Sequence, residues 1–357
     1  MKKKTKILVC GTTFGQVYLE GIQSHSDYEL VGILSTGSKQ SLHCSQRYEV
    51  PLYTDITKID VKNIDIVCVV VRSSIVGGKG TTIAKQFLEK GIPVLQEQPV
   101  HAEDMLDCLK TARTHKCVYM VNTFYPHIET VNHFINCAQK IKDQSKLIHI
   151  DAVCSVQVLY PLLDILNQSI GGLSPFRVNK QTHKNGLFTT VSGEIKEISY
   201  DIKIQNQLDA NNPDNFFHLL HKIDIYYEGG RLSLSDTHRY CTWYPRVFIP
   251  NDEQGNLNLY TDNAFLKLPV SENDYNKNQN ISYQKVYEKL WPEAIKSALI
   301  EFEKGMLDSK KTLQYLQQLL SLCQLWKEIG QRIGSIEYIE GSKINPLSIG
   351  GLIKKER

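Results

Sequence analysis

A short apolar run, Lys6-Ile7-Leu8-Val9-Cys10, passes directly into Gly11-Thr12-Thr13-Phe14-Gly15 and then into a helical pattern. A strand ending in a glycine turn leaves backbone N–H groups bare at a helix N-terminus, where a diphosphate can sit. The turn is shorter than the usual G-x-G-x-x-G, and Thr13 stands at the middle glycine. Alone it is a weak signal. About twenty residues on, an NAD site places an acid on the ribose hydroxyls. Here the chain reads Ser35-Thr36-Gly37-Ser38-Lys39, with no acid. Small hydroxyls and a lysine would hold a 2′-phosphate that a carboxylate would repel, so the pattern favours NADP(H). The plainer alternative is that Ser35 and Ser38 shape a turn and Lys39 is solvated.

These groups need a frame. Apolar runs of strand length recur at Tyr28–Leu34, Ile64–Val71, Val94–Gln96 and Val118–Val121. The run Ile66–Val71 is apolar on both faces, as a central parallel strand must be. Helical patterns at Thr82–Lys90 and Glu103–Thr114 lie between the runs, and Gly91 stops the first of them. Strand alternating with helix predicts an α/β, doubly wound parallel sheet with the cofactor at the carboxyl ends of the strands. Two further strand ends belong on that floor: Arg72-Ser73-Ser74, followed by Gly77, Gly78 and Gly80, and Gln96-Glu97-Gln98-Pro99. Cofactor-binding candidates are therefore Gly11, Thr12, Thr13, Phe14, Gly15, Ser35, Ser38, Lys39, Arg72, Ser73, Glu97, Gln98 and Pro99. Arg72 fits a site and a solvated surface equally.

The pattern changes after the first domain, expected over residues 1–123. Strand-like stretches at Leu147–Ser155, Leu187–Val191, Glu197–Ile204, Lys222–Tyr227 and Arg231–Ser235 surround one early helix at Tyr160–Gln168. Gly229-Gly230 reads as a tight hairpin. Residues 124–357 are expected to form an α+β domain with late helices at Tyr283–Lys304 and Thr312–Ile333 packing back onto the chain's own core. Ser271–Gln279 reads as a surface loop.

The 357 residues suffice for two domains with their own cores. A net charge of +3 makes no electrostatic case for nucleic acid. Met1-Lys2-Lys3-Lys4 resembles the start of an export signal, but Gly11, Thr12, Thr13 and Gly15 interrupt what should be its apolar part. No stretch approaches the ~18–20 apolar residues of a membrane span. The nine cysteines include no Cys-x-x-Cys pair, which argues against a disulfide scaffold or a structural zinc site. A cytoplasmic protein is expected, in which the acceptor triplet Asn280-Ile281-Ser282 carries no glycan.

Four ordered motifs carry a resemblance to the glucose–fructose/inositol (Gfo/Idh/MocA) oxidoreductases, and within them to the thiazolinyl imine reductases of siderophore biosynthesis. They are Cys10–Gly15 with Val17-Tyr18-Leu19-Glu20, Val70–Ser73 with Gly77-Gly78, Gln96–His101, and Asn122-Thr123-Phe124-Tyr125-Pro126-His127. The second half is similar more loosely, at Leu159–Asp164. The resemblance implies an open, mostly antiparallel second sheet, one face of which pairs two copies into a homodimer. It further implies that NADPH reduces a thiazoline C=N to a thiazolidine while a peptidyl carrier protein of a nonribosomal peptide synthetase holds the substrate as a thioester.

Where the superfamily ends a strand in Glu-Lys-Pro, this chain has Glu97-Gln98-Pro99. Gln98 exchanges no proton, so the lysine-dependent alcohol chemistry of sugar-oxidising relatives loses a central part. Imine reduction instead needs an acid for the nitrogen. His101 and Tyr125 are the catalytic candidates; histidine is the better acid by its reference pKa of about 6.5 against ~10. Each has a plainer role, His101 in opening a helix and Tyr125 in packing at the domain junction. Substrate-binding candidates are His127, which also suits a helix start, Asp164, which also suits a surface or cap, and Trp243. Tyr240, Trp243 and Tyr244 would stack an aryl-thiazoline, with core packing as the default. His218 and His221 could share a helical face, but without a third ligand no metal site is expected. The rival functions are an NADP-dependent sugar or polyol dehydrogenase and a non-catalytic cofactor-binding regulator.

Overall fold

A computed structural model describes residues 3–73, 78–273, 281–340 and 346–348. The sequence features at Met1, Lys2, Ser74, Gly77, 274–279 and Asn280 lie outside the described residues.

The first sheet contains β1 (Thr5–Cys10), β2 (Tyr28–Leu34), β3 (Leu52–Tyr53), β4 (Ile66–Val69), β5 (Val94–Glu97) and β6 (Tyr119–Asn122). Its spatial order is β3-β2-β1-β4-β5-β6, and every pairing is parallel. The order reverses beside β1, so the crevice above β1 and β4 is where a dinucleotide belongs. All four residues of β4 are buried, because helices cover both faces of the sheet. Those crossovers are α1 (Gly15–Gln23), α2 (Lys39–Arg47), α3 (Gly80–Leu88) and α4 (Ala102–Thr114).

After β6 a short turn at Tyr125–His127 leads into α5 (Glu129–Lys142), β7 (Leu147–Ser155) and α6 (Leu159–Ile170). There follow β8 (Phe176–Asn185), β9 (Phe188–Ile195), β10 (Ile198–Gln205), β11 (Gln207–Asp209), β12 (His221–Tyr227), β13 (Gly230–Leu234) and β14 (Cys241–Pro245). The second sheet runs β14-β13-β12-β7-β10-β9-β8. Only β7 and β10 pair in parallel, so the sheet is mixed and mostly antiparallel. This is the α/β architecture read from the sequence, with its Rossmann sheet and a second, open sheet.

The chain then returns. A three-residue α7 (Tyr283–Lys285) and a π-helical turn (Val286–Leu290) feed α8 (Trp291–Leu307) and α9 (Ser309–Ile333). β15 (Glu337–Ile339) pairs in parallel with β11. The α8 helix lies on α1, where Gly21 permits the approach: a Cβ there would stand 2.8 Å from the Pro292 carbonyl oxygen. The α9 helix reaches the first sheet through the Tyr315 hydroxyl, which donates to the Val121 carbonyl at 3.1 Å. Its Leu316, Leu319, Leu322 and Leu325 are buried, as the apolar stripe predicts.

Candidate active site

The turn after β1 is built for close approach. Gly11 has φ +96°, and a Cβ on it would meet the Val70 carbonyl oxygen at 2.4 Å. Its N–H donates to Leu34 O at 2.9 Å, tying the turn to the end of β2. Thr12 is buried and Thr13 is exposed. Phe14 occupies the N-cap of α1 and supplies no capping side chain, and Gly15 opens the helix. The first turn of α1 thus offers backbone donors to an anion, as the sequence suggests.

Ser35 directly follows β2, with its N–H on Tyr53 O at 2.9 Å. Ser38 is the N-cap of α2, its hydroxyl accepting from Ser41 N at 3.2 Å, and exposed Lys39 is the first helical residue. The polar sequence of α2 hid this helix in the sequence. Its N-terminus adds a second partly positive helix end beside Ser35 and Lys39.

Arg72 is exposed, while Ser73 is buried and donates its hydroxyl to Pro99 O at 2.6 Å. Ser73 therefore joins the end of β4 to that of β5. Glu97 turns inward. Its carboxylate accepts hydrogen bonds from the Tyr18 hydroxyl and from Asn122 Nδ2, the latter at 3.2 Å. Burial pushes its pKa up to about 8, against the lowering effect of those two bonds. Gln98 follows, with its N–H on Asn122 O at 3.0 Å and a cis bond to Pro99. Gln98 Oε1 is buried and has no hydrogen-bond partner among the described residues. An acceptor without a donor at the carboxyl end of β5 fits the carboxamide N–H of a nicotinamide. The uncapped N-terminus of α1 fits its diphosphate.

His101 is half-buried at the N-cap of α4, where Nδ1 accepts from Glu103 N at 3.4 Å. The helix-opening role weighed for it is present, and Nε2 is the nitrogen left for other partners. Tyr125 is buried next to Phe124, which takes φ +63°. The Phe124 N–H donates to Asn122 Oδ1 at 2.9 Å, fixing that bend. Burial raises the pKa of the Tyr125 phenol, and the nearby charge of Glu97 adds to the effect. The group is held protonated. His127 ends the same turn, and burial lowers its pKa to about 4.

Sequence reasoning missed the support beneath Tyr125. His221 lies edge-on to its ring, with centroids 4.7 Å apart. It opens β12, so the helical face suggested for His218 and His221 does not exist. His221 Nε2 donates to Val158 O at 3.0 Å, leaving Nδ1 to accept from the Thr237 hydroxyl at 3.0 Å. Burial holds it neutral, with a pKa lowered to about 3. His218 is an exposed bend residue.

An aromatic group joins the turn to the second half. Phe14 packs against Phe124 (5.2 Å between centroids) and Trp291 (5.8 Å), and Tyr287 meets Trp291 at 4.9 Å. Tyr287 is 52 % exposed, so this wall has an open side. Trp243 stands elsewhere. Its ring contacts Tyr227, at the far end of β12 from His221 and roughly 20 Å along the strand. The fold thus separates it from Tyr125, contrary to the expected substrate role; Tyr244, one residue on, lies under the Arg231 guanidinium. Tyr240 is exposed. Asp164 is also withdrawn from substrate. It is fully buried and accepts from Thr123 Oγ1, Asn167 Nδ2 and Gln168 Nε2, tying α6 to the end of β6. Burial raises its pKa.

Residues 5–123 match the family model described as oxidoreductase family, NAD-binding Rossmann fold. Residues 144–244 match the model described as thiazolinyl imine reductase Irp3-like, C-terminal. No curated protein matches. Among solved structures, the chain is similar to a dehydrogenase from Chromobacterium violaceum (TM-score 0.67, 10 % identity, covering 92 % of this chain and 94 % of that one). It is also similar to an oxidoreductase from Agrobacterium radiobacter in complex with NAD+, L-tartaric acid and magnesium (TM-score 0.65, 10 % identity, 91 % and 95 %). A Gfo/Idh/MocA family oxidoreductase from Vibrio cholerae aligns with a TM-score of 0.63 at 16 % identity, covering 92 % and 98 %. Such identities speak for the fold alone. The first domain is thus similar to the NAD-binding domain of that oxidoreductase family, and the two-domain fold is shared with these structures.

Proposed function

We propose that this protein is an NADPH-dependent thiazolinyl imine reductase, acting on a thiazoline carried as a thioester by a peptidyl carrier protein. The observation that carries the reading is the match of residues 144–244 to the C-terminal model of such reductases. The site agrees with it on two counts. Gln98 stands where lysine-dependent alcohol oxidation needs a proton-exchanging group, and a phenol held protonated stands at the end of β6.

In this reading the first turn of α1 would hold the diphosphate, with Gly11 shaping the turn before it, while Ser35 after β2 and Ser38 and Lys39 at the start of α2 would hold the 2′-phosphate. Gln98 Oε1 accepts from the carboxamide. Bound NADPH would supply a hydride to the imine carbon. Tyr125 gives the proton to the nitrogen, whose basicity rises as that carbon is reduced, so C=N becomes CH–NH. His101 offers Nε2 to the substrate or to a water, with Nδ1 kept on the helix cap. Phe14 and Trp291 line the aryl end of the substrate, with Phe124 packed behind them. A second copy of the chain would pair across the polar outer face of the second sheet, which light scattering would detect as a doubled mass.

Mixing protein, NADPH and an aryl-thiazoline thioester should consume the nicotinamide absorbance with one thiazolidine formed per NADPH. Oxidation of a polyol with NADP+ and no imine turnover would make the chain a sugar dehydrogenase. Tight cofactor binding without either reaction would make it a regulator.

A further inference from the structure

The α5 helix carries His133 and Cys137 four residues apart, a spacing that stacks side chains on one helical face. His133 Nε2 lies 3.4 Å from Cys137 Sγ. The α5 helix packs against β13 and β14, and the first residue of β14 is Cys241, which is 3 % exposed. The ligand atoms of His133, Cys137 and Cys241 all lie within 4.8 Å of one another. None of the three is used in the reaction above.

We propose that these residues form a binding site for a thiophilic divalent cation of the zinc class. Imidazole and thiolate donors suit such an ion, whereas magnesium or calcium would require oxygen ligands. Around tetrahedral zinc, with bonds of about 2.0–2.3 Å, neighbouring donors stand roughly 3.5–3.8 Å apart. The His133–Cys137 pair already has that separation, and the widest pair needs to close by about 1 Å. Binding replaces the two S–H protons, which leave to solvent, so two thiolates neutralise the dication. That balance suits a place where Cys241 is buried and the other two groups are half-buried. The open fourth position is left to water on the exposed side. The ion ties the helix that begins directly after Tyr125–His127 to an edge strand of the second sheet. The resulting clamp lies away from the substrate and positions the element behind Tyr125.

The test uses the full-length reduced protein, stripped with a chelator and titrated with Co(II). One equivalent should bind, giving a thiolate-to-cobalt charge-transfer band of two-thiolate intensity and the visible bands of a tetrahedral ion. Zn(II) should displace it and raise the melting temperature. His133→Gln and Cys241→Ser should each weaken binding by at least about a hundredfold, since even outer partners of a metal site cost 10–100-fold. Cys117→Ser, outside the group, should leave binding unchanged. His133→Gln alters a half-buried helix-surface residue, so the test survives if Cys241→Ser fails to fold. No stoichiometric cobalt spectrum would overturn the proposal, as would a spectrum unchanged in both ligand variants. A Cys137–Cys241 disulfide found by mass spectrometry in the protein as purified would overturn it equally.

Discussion

Tyr125 and His101 differ in what surrounds them, and that difference sorts their roles. A phenol whose ionisation burial opposes is a donor and a poor base. Tyr125→Phe removes only the hydroxyl and should lower the single-turnover rate by ~10²–10⁴ with NADPH affinity unchanged. His101→Asn keeps a good helix cap, so its melting temperature should stay close to wild type while the rate falls about tenfold, the scale of a lost positioning contact. A larger loss from His101→Asn than from Tyr125→Phe would exchange the two assignments. Glu97 makes a separate prediction. An unfolded glutamate loses its proton near 4.5, but Glu97 keeps it until about 8. Its contribution to stability is therefore full below 4.5 and is lost as pH rises towards 8. Glu97→Gln should gain in melting temperature relative to wild type across that window, read by calorimetry at pH 5 and pH 8. At this scale much of the site was legible, because Gly11, Gln98 and Tyr125 announce themselves by type and place. The inward turn of Glu97 was not, since it depends on Tyr18 and Asn122 from two other elements. The His133–Cys137–Cys241 group was hidden for the same reason: no single stretch of sequence holds its three donors.

At the scale of elements, two helix starts divide the cofactor between them in the proposed reading. The first depends on a backbone that only glycine adopts easily. Gly11→Ala forces a φ > 0 conformation and a clash with Val70 O, a strain of about 1–3 kcal/mol. Thermal unfolding should show the destabilisation, and cofactor affinity should fall more than tenfold. In the proposed reading the second helix start chooses the cofactor. Ser35→Asp places a carboxylate beside the N-terminus of α2 and should raise the Kd for NADPH at least tenfold in calorimetric titration, with NADH spared. Equal affinities of the unmodified protein for the two cofactors would remove the basis of this assignment. The sequence shows elements well where one face is apolar: β2 and β7 have the expected bounds. It hides α2, whose Lys-Gln-Ser-Leu-His-Cys-Ser-Gln-Arg buries only Ser41 and Cys44. It hides β8 too, because most of that strand is exposed and no alternation marks it.

The whole molecule is held together by the returning helices, and its second sheet explains the least legible part of the reading. From the sequence, Trp243 is expected near substrate and His221 is given no place there. The antiparallel order β14-β13-β12 instead puts Trp243 by the hairpin and His221 beneath Tyr125. Strand order is set by contacts between distant residues, which no local pattern records. The packing of α8 on α1 offers a test at this scale. Gly21→Leu would press a side chain into Pro292 and Ile295 and should cost about 1–3 kcal/mol by overpacking, seen as a lower urea midpoint.

The contact of Trp291 with Phe14 has an optical consequence. The chain has three tryptophans, and Trp291 stands against Phe14 of the turn after β1, its indole N–H donating to His238 Nε2 at 3.2 Å. Indole emission overlaps the absorption of a reduced nicotinamide, so a dinucleotide seated in the crevice should drain that emission by resonance energy transfer. Oxidised cofactor lacks the absorption and should leave most of the light. Trp291→Phe would darken the signal without emptying the crevice, and a single ultraviolet trace would then follow both arrival of the cofactor and its spending.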